Sequence, residues 1–231
     1  MELQTITAGP EIHLPGAAPP AHCVSGVGSL EPGRERVERY IAGIFNAAYG
    51  ARVLEYLPFL CTLERGGALM AALGLRSAAN DTLFCEQYLD TPVESAVLDE
   101  FGQAVDRSRV LELGNLVASS PGQAVFLYLL VTAALGRSGV RYLIFAANRA
   151  VRTSIRRCGF ETRIICDASP SRLGRRASDW GSYYDGDPKV LLADIRGALS
   201  HGWRQDAIAD IWQHESETIE ALAADIRLLG R

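Results

Sequence analysis

Lysine is nearly absent from this sequence of 231 residues: Lys189 is the only one among 23 basic side chains, and the rest are Arg. Net charge is also small, −4, which excludes a supercharged nucleic-acid binder. Charged residues are 22% and hydrophobic residues 48%, which excludes a disordered or collagen-like chain. Long apolar runs are missing. The longest, Ala124 to Leu135, falls short of the about 20 residues that a membrane span needs, and it predicts a buried helix. Met1 to Cys23 has no basic segment followed by an apolar run, so no signal peptide is expected. Five cysteines, Cys23, Cys61, Cys85, Cys158 and Cys166, form no CxxC pair. They read as free thiols in a reducing compartment, and a cytoplasmic location is the expectation. His13, His22, His201 and His214 lack ligand spacing, and Ser119 and Ser120 lack a paired His. Neither a metal site nor a Ser–His triad is predicted.

What is present reads as a mixed α/β chain. Residues 1–32 are rich in Pro, Gly and Ala, and predict an arm holding a short strand. Val37, Tyr40, Ile41, Ile44 and Phe45 recur with helical period, so 33–49 is a helix stopped by Gly50. Leu57–Glu64 and Leu69–Arg76 predict strands joined at Gly66-Gly67, with a third strand at Thr82–Tyr88. A helix over 92–104 follows Thr91. The centre reads strand Val110–Ala118, helix Ala124–Gly136, strand Val140–Ala147, helix Arg149–Cys158, strand Phe160–Cys166. Alternation of this kind predicts an α/β core with a right-handed parallel crossover. Residues 169–185 have loop chemistry. Pro188–Ser200 reads as a helix capped by Asp187, and 205–229 as one long helix. Its stripe, Ile208, Ile211, Trp212, Ile219, Leu222 and Ile226, either docks on the domain or pairs a homodimer.

The turn Ser119-Ser120-Pro121-Gly122-Gln123-Ala124 leads from a strand straight into a helix. A helix start offers unpaired N–H groups and a positive dipole end, and Gly122 and Ala124 leave room for a phosphate to approach. Residues 149–176 carry eight Arg against Glu161 and Asp167, so the rest of the chain is strongly acidic. Arg makes bidentate contacts to phosphate, and the basic segment fits an anionic donor or an acidic carrier protein; the alternative is a solvated helix face.

Gly122 and Ala124 after a strand, Asn148 opening the next helix and Gly159-Phe160 closing it resemble the GNAT acyltransferase superfamily over about residues 35–166. The resemblance implies that the turn binds the donor's pyrophosphate and that the central strands splay around its pantetheine arm. Val117, Ser119, Ser120, Gly122, Gln123, Ala124, Asn148 and Arg152 are then the donor-binding candidates. Two positions depart: Ser119 replaces the usual Gln or Arg, and Ile155 replaces the Tyr that often acts as general acid. An atypical donor or acid follows from that.

Tyr49-Gly-Ala, Tyr56-Leu-Pro58, Glu86-Gln-Tyr88-Leu, Glu112-Leu-Gly-Asn115-Leu and Trp180-Gly-Ser-Tyr183-Tyr184 occur in an order similar to the thermostable hemolysin family, over about residues 36–195. The family in turn resembles the GNAT-like autoinducer (acyl-homoserine lactone) synthases. Those carry an acidic-x-Ser-Arg motif before the donor loop; here Glu112 matches and Asn115 stands in place of Arg.

The implied fold is a mixed twisted sheet flanked by helices, with an arm (1–32), an acyltransferase domain (33–185) and a C-terminal helical extension (186–231). The implied enzyme moves an acyl group longer than acetyl from acyl-CoA or acyl carrier protein to a small amine, with no permanently bound cofactor. A carrier protein would dock on Arg149–Arg176. A non-catalytic ligand-binding or membrane-damaging protein is the alternative, though no cationic amphipathic segment of the membrane-surface type supports it.

Glu112 lies in an apolar strand, where burial raises a carboxylate's pKa and suits it to take a proton from an amine. A solvent-facing position is the plain alternative. Glu86 is expected on a neighbouring strand, flanking the amine with Glu112 or pairing with an Arg. Asn115 either orients a substrate carbonyl or holds a bulge beside Gly114. Trp180, Tyr183 and Tyr184 either wall a pocket or anchor a loop.

Overall fold

The computed structural model describes residues 22–230. Residues 1–21, with His13 and most of the expected arm, lie outside them. Among the described residues seven strands form one sheet in the order β1-β2-β3-β4-β5-β7-β6. They are β1 (His22–Val27), β2 (Phe59–Arg65), β3 (Ala68–Ser77), β4 (Val110–Ala118), β5 (Tyr142–Ala147), β6 (Thr162–Asp167) and β7 (Lys189–Asp194). Only β4 and β5 run parallel; every other pair is antiparallel. The Gly66-Gly67 hairpin forms as the pattern predicts, with both glycines at positive φ.

The helices α1 (Arg34–Tyr49), α2 (Val93–Phe101), α3 (Pro121–Ser138) and α4 (Arg149–Arg157) sit where the periodicity puts them, within a few residues. Three expectations are corrected. Thr82–Tyr88 is no strand; Phe84–Tyr88 forms a single 3-10 turn. Pro188–Ser200 is no continuous helix. Its first half is β7, which inserts between β5 and β6, and only Ile195–Gly202 is helical (α5). Val190, Leu191, Leu192 and Ala193 form an unbroken apolar run buried on both faces of the sheet, and such a run has no distinguishing period. The boundary placed at 185/186 therefore cuts through the sheet. Last, the long C-terminal helix breaks at Glu215 into α6 (Asp206–His214) and α7 (Ser216–Leu228).

The core lies mainly under one face of the sheet, around α3, which is buried from Leu127 to Leu135. The C-terminal stripe packs here: Ile208, Trp212, Ile219, Leu222 and Ile226 are all buried, and the Trp212 indole N–H donates to the Leu129 carbonyl at 2.9 Å. Of the two alternatives for the stripe, docking on its own domain is the one the structure takes. Among the described residues no helix is long and apolar enough to cross a membrane.

On β4 the register against β3 slips between Ala72 and Gly74, which pair with Val117 and Gly114. Two β4 residues, Asn115 and Leu116, therefore oppose one β3 residue, forming a bulge. Asn115 has φ 52°, a left-handed conformation. Its side chain holds the segment before β2: Oδ1 accepts from the Leu57 N–H at 2.8 Å, and Nδ2 donates to the Glu55 carbonyl at 3.3 Å. Gly74 and Gly114 leave the space, since a Cβ on either would press on Leu57. Replacing Asn115 should separate these effects. Asn115→Ala loses the left-handed tolerance and both hydrogen bonds, and should cost about 2–4 kcal/mol. Asn115→Gly loses only the bonds and should cost about half as much. Equal denaturation midpoints for the two variants would show that the backbone conformation contributes nothing.

Candidate active site

Strands β4 and β5 pair only from Val110–Leu113 against Tyr142–Phe145. Beyond Leu113 the bulge turns β4 away, and its edge facing β5 has no strand partner. Two cavities open at this divergence. The larger, about 280 Å³, runs between β4 and β5 from α1 (Phe45, Tyr49) to α3, α4 and α5 (Tyr128, Ile155, Ala198). The smaller, about 80 Å³, lies on the other side, under Phe84–Tyr88 and Trp180–Tyr184. Leu113, Gly114, Asn115, Ala146 and Tyr183 line both, so the cavities meet where the strands part.

Glu112 is the buried carboxylate of the smaller cavity, 2% exposed. It does not face solvent. Its oxygens accept from the backbone N–H groups of Phe84 at 2.9 Å and Cys85 at 2.6 Å, at the start of the 3-10 turn. Arg76 stands 3.9 Å away. Burial pushes the Glu112 carboxyl above its ordinary range, and the hydrogen bonds from Cys85 and Phe84 and the Arg76 charge offset only part of that. The Cys85 thiol lies against the same carboxylate, and burial, then Glu112, push its pKa up. It stays a protonated thiol and makes a poor nucleophile.

Glu86 is corrected. It sits in the 3-10 turn rather than on a strand, and it lines neither cavity. Arg107 pairs with it at 2.8 Å, and the N–H groups of Leu83 and Val93 donate to it. Burial works to raise its pKa, but Arg107 and these amides together hold it below the ordinary value. Glu86 is a structural ion pair that joins the 3-10 turn to α2. Asn115 holds the bulge; both ends of its amide are committed to backbone groups, although it lines both cavities.

The donor candidates separate into three kinds. Val117 and Asn148 line the larger cavity. Asn148 also caps α4, its Oδ1 accepting from the Val151 N–H at 3.0 Å, while its amide donates to the Tyr49 hydroxyl at 2.9 Å. Ser119 to Ala124 follow directly on Ala118, the last cavity residue of β4. Ser119 is hydrogen-bonded to Tyr40 at 3.0 Å, and Ser120 precedes the helix without a side-chain cap. The N–H groups of Gly122 and Gln123 have no acceptor among the described residues, and a Cβ on Gly122 would meet nothing within 4 Å. Arg152 is already engaged, donating to the Ala147 and Asp187 carbonyls and pairing with the Asp187 carboxylate at 3.1 Å. Within the basic segment Arg149, Arg156, Arg157, Arg163 and Arg175 are exposed, whereas Arg172 pairs with Asp90 and Arg176 bonds Gln87.

Trp180, Tyr183 and Tyr184 do wall the smaller cavity. Phe84, Cys85 and Tyr88 also line it; the sequence pattern, read as a strand here, does not single them out, although Tyr88 falls in the Glu86-Gln-Tyr88-Leu block. Tyr49, on the wall of the larger cavity, had its signal in the Tyr49-Gly-Ala block. Tyr183 reaches toward the Ala146 carbonyl, and burial raises its pKa, as it does for Tyr88.

Solved structures share this fold at low identity. BjaI, a CoA-dependent acyl-homoserine lactone synthase solved with MTA, aligns with TM-score 0.57 at 11% identity over 90% of this chain and 100% of that one. TofI in an apo form gives 0.55 and 15%, over 78% and 95%. FeeM, an N-acyl amino acid synthase from uncultured soil microbes, gives 0.54 and 13%, over 78% and 96%. The fold is therefore GNAT-like, as the resemblance implied. No curated protein sequence matches the chain. The family model for thermostable hemolysin matches residues 27–199, most of the sequence, and the chain belongs to that family.

Proposed function

We propose that this protein is an acyltransferase that moves an acyl group, longer than acetyl, from acyl-CoA or acyl carrier protein to a small amine. The observation that carries the reading is the meeting of two cavities at the parting of β4 and β5. A pantetheine arm fits the long opening between the strands, where the unpaired edge of β4 offers it backbone hydrogen bonds. The apolar far end, at Tyr128, Ile155 and Ala198, suits an acyl chain. The amine enters from the smaller cavity and meets the thioester carbonyl near Gly114 and Ala146. Its nitrogen attacks the carbonyl carbon; the C–N bond forms, the C–S bond breaks, and the thiolate leaves. Glu112, through a water, takes the proton that the amine gives up and returns one to the thiolate. Free N–H groups along the β4 edge stabilise the oxyanion. The first turn of α3 holds the donor phosphates, and exposed Arg side chains of 149–176 attract the donor or its carrier protein. The solved neighbours of the same fold, described as acyl-homoserine lactone and N-acyl amino acid synthases, agree with this chemistry.

Gly122→Asp tests the phosphate site without disturbing the fold. The position has free space, and an acid in the first turn suits the helix dipole, so the melting temperature should hold or rise slightly. Coenzyme A affinity, measured by calorimetry, should fall by about tenfold or more from charge repulsion. Unchanged affinity would place the phosphates elsewhere.

Glu112→Gln should lower kcat by about 10²-fold or more with the donor Kd nearly unchanged. In the wild type a base must be ionised, so kcat/KM falls as pH drops through the Glu112 pKa. Because burial raises that pKa, the acid limb should lie above the range of an exposed glutamate, and it should vanish in the variant. Retention of the same acid limb in Glu112→Gln would remove Glu112 from the proton transfer.

A further inference from the structure

We propose that the acceptor is a small aliphatic amine without a carboxylate, received as an ammonium ion in a closed ring of aromatic side chains; this rests on the acyl-transfer reading above. The ring can be traced residue by residue. Phe84 lies 5.8 Å from Trp180, Trp180 lies 5.5 Å from Tyr183, and Tyr183 lies 5.4 Å from Tyr184. The Tyr184 hydroxyl meets the Tyr88 hydroxyl at 2.6 Å, and Tyr88 returns to Phe84 at 5.9 Å. All five line the smaller cavity. Aromatic faces carry negative charge density and attract cations, most strongly where water is excluded.

The charges agree with the rings. Glu112 lies at the inner end of the cavity and Glu55, half exposed, at its mouth. No Arg, Lys or His lines this cavity among the described residues. The guanidinium that faces both acids, Arg76, donates to Glu55 at 2.8 Å and lies 3.9 Å from Glu112, so both its ends are engaged. A carboxylate on the acceptor would find aromatic rings and two acids, and no positive charge among the lining residues to pair with it. An ammonium ion finds the reverse. At about 80 Å³ the cavity holds a short chain rather than a bulky one. Glu112 then has two uses: it attracts the ammonium ion, whose first proton leaves to solvent and frees the nitrogen lone pair, and it takes the second proton as the C–N bond forms and passes it to the thiolate.

Ligand pairs that differ only by a carboxylate test this directly. The full chain, with coenzyme A present, is titrated calorimetrically with 1,5-diaminopentane against lysine and with 1,4-diaminobutane against ornithine. Each diamine should bind at least about tenfold more tightly than its amino acid. Trp180→Leu and Tyr184→Leu should weaken diamine binding at least about fivefold, while Trp180→Phe retains most of it. An amino acid that binds as well as its diamine, or no binding by either, overturns the inference without recourse to any variant. Thiol release from a long-chain acyl-CoA is followed in parallel. Selective diamine binding without thiol release supports the aromatic site and sinks acyl transfer; thiol release that favours the amino acids sinks this inference alone.

Discussion

The bulge at Asn115 is the constraint from which the rest of the site follows. A parallel pair such as β4 and β5 would otherwise continue its ladder and close the sheet. Asn115 prevents that by taking a left-handed conformation and fastening its amide to the backbone of Leu57 and Glu55. Gly74 and Gly114 supply the room for Leu57 to lie against the bulge. The same turn of the chain that ends strand pairing creates the larger cavity, frees the β4 edge and points Gly114 toward Ala146. A side chain that was a candidate for handling substrate builds the site by shaping its backbone.

Glu112 shows how structural and chemical demands coincide in one residue. Its carboxylate holds the N–H groups of Phe84 and Cys85, and so it fixes the 3-10 turn that brings Phe84, Cys85 and Tyr88 over the smaller cavity. Burial there raises its pKa, in keeping with the role of proton acceptor proposed for it. Glu86, two positions beyond the turn's first residue, is the contrast. Arg107 and two backbone amides keep it ionised and closed to substrate. Two carboxylates that looked alike in the sequence are separated by what donates to them.

Much of this was legible in the residue pattern. Helical periodicity located α1, α3 and α4, Gly66-Gly67 located the hairpin, and the small residues of the turn before α3 marked where a helix start lies open. The spacing of Glu112, Asn115, Gly122, Asn148 and Gly159-Phe160 pointed to the fold. The failures have physical reasons. The Lys189–Asp194 strand is buried on both faces, so its apolar run carries no period that tells strand from helix. Phe84–Tyr88 has strand-like residues, but its first amides are held by Glu112, a partner distant in sequence that no local rule can see.

Local preference and apolar spacing therefore determined most of the elements, and the resemblance of short residue blocks pointed to the family and to the short list of acids and small residues. Those depend on neighbours along the chain. Only the tertiary structure decided that β7 enters the sheet between β5 and β6, and that the C-terminal stripe covers α3 rather than a second copy. It alone also closed five aromatic rings from two distant segments around Glu112. Those outcomes depend on pairings across long loops, where strand order and burial select among arrangements that the sequence leaves locally equivalent.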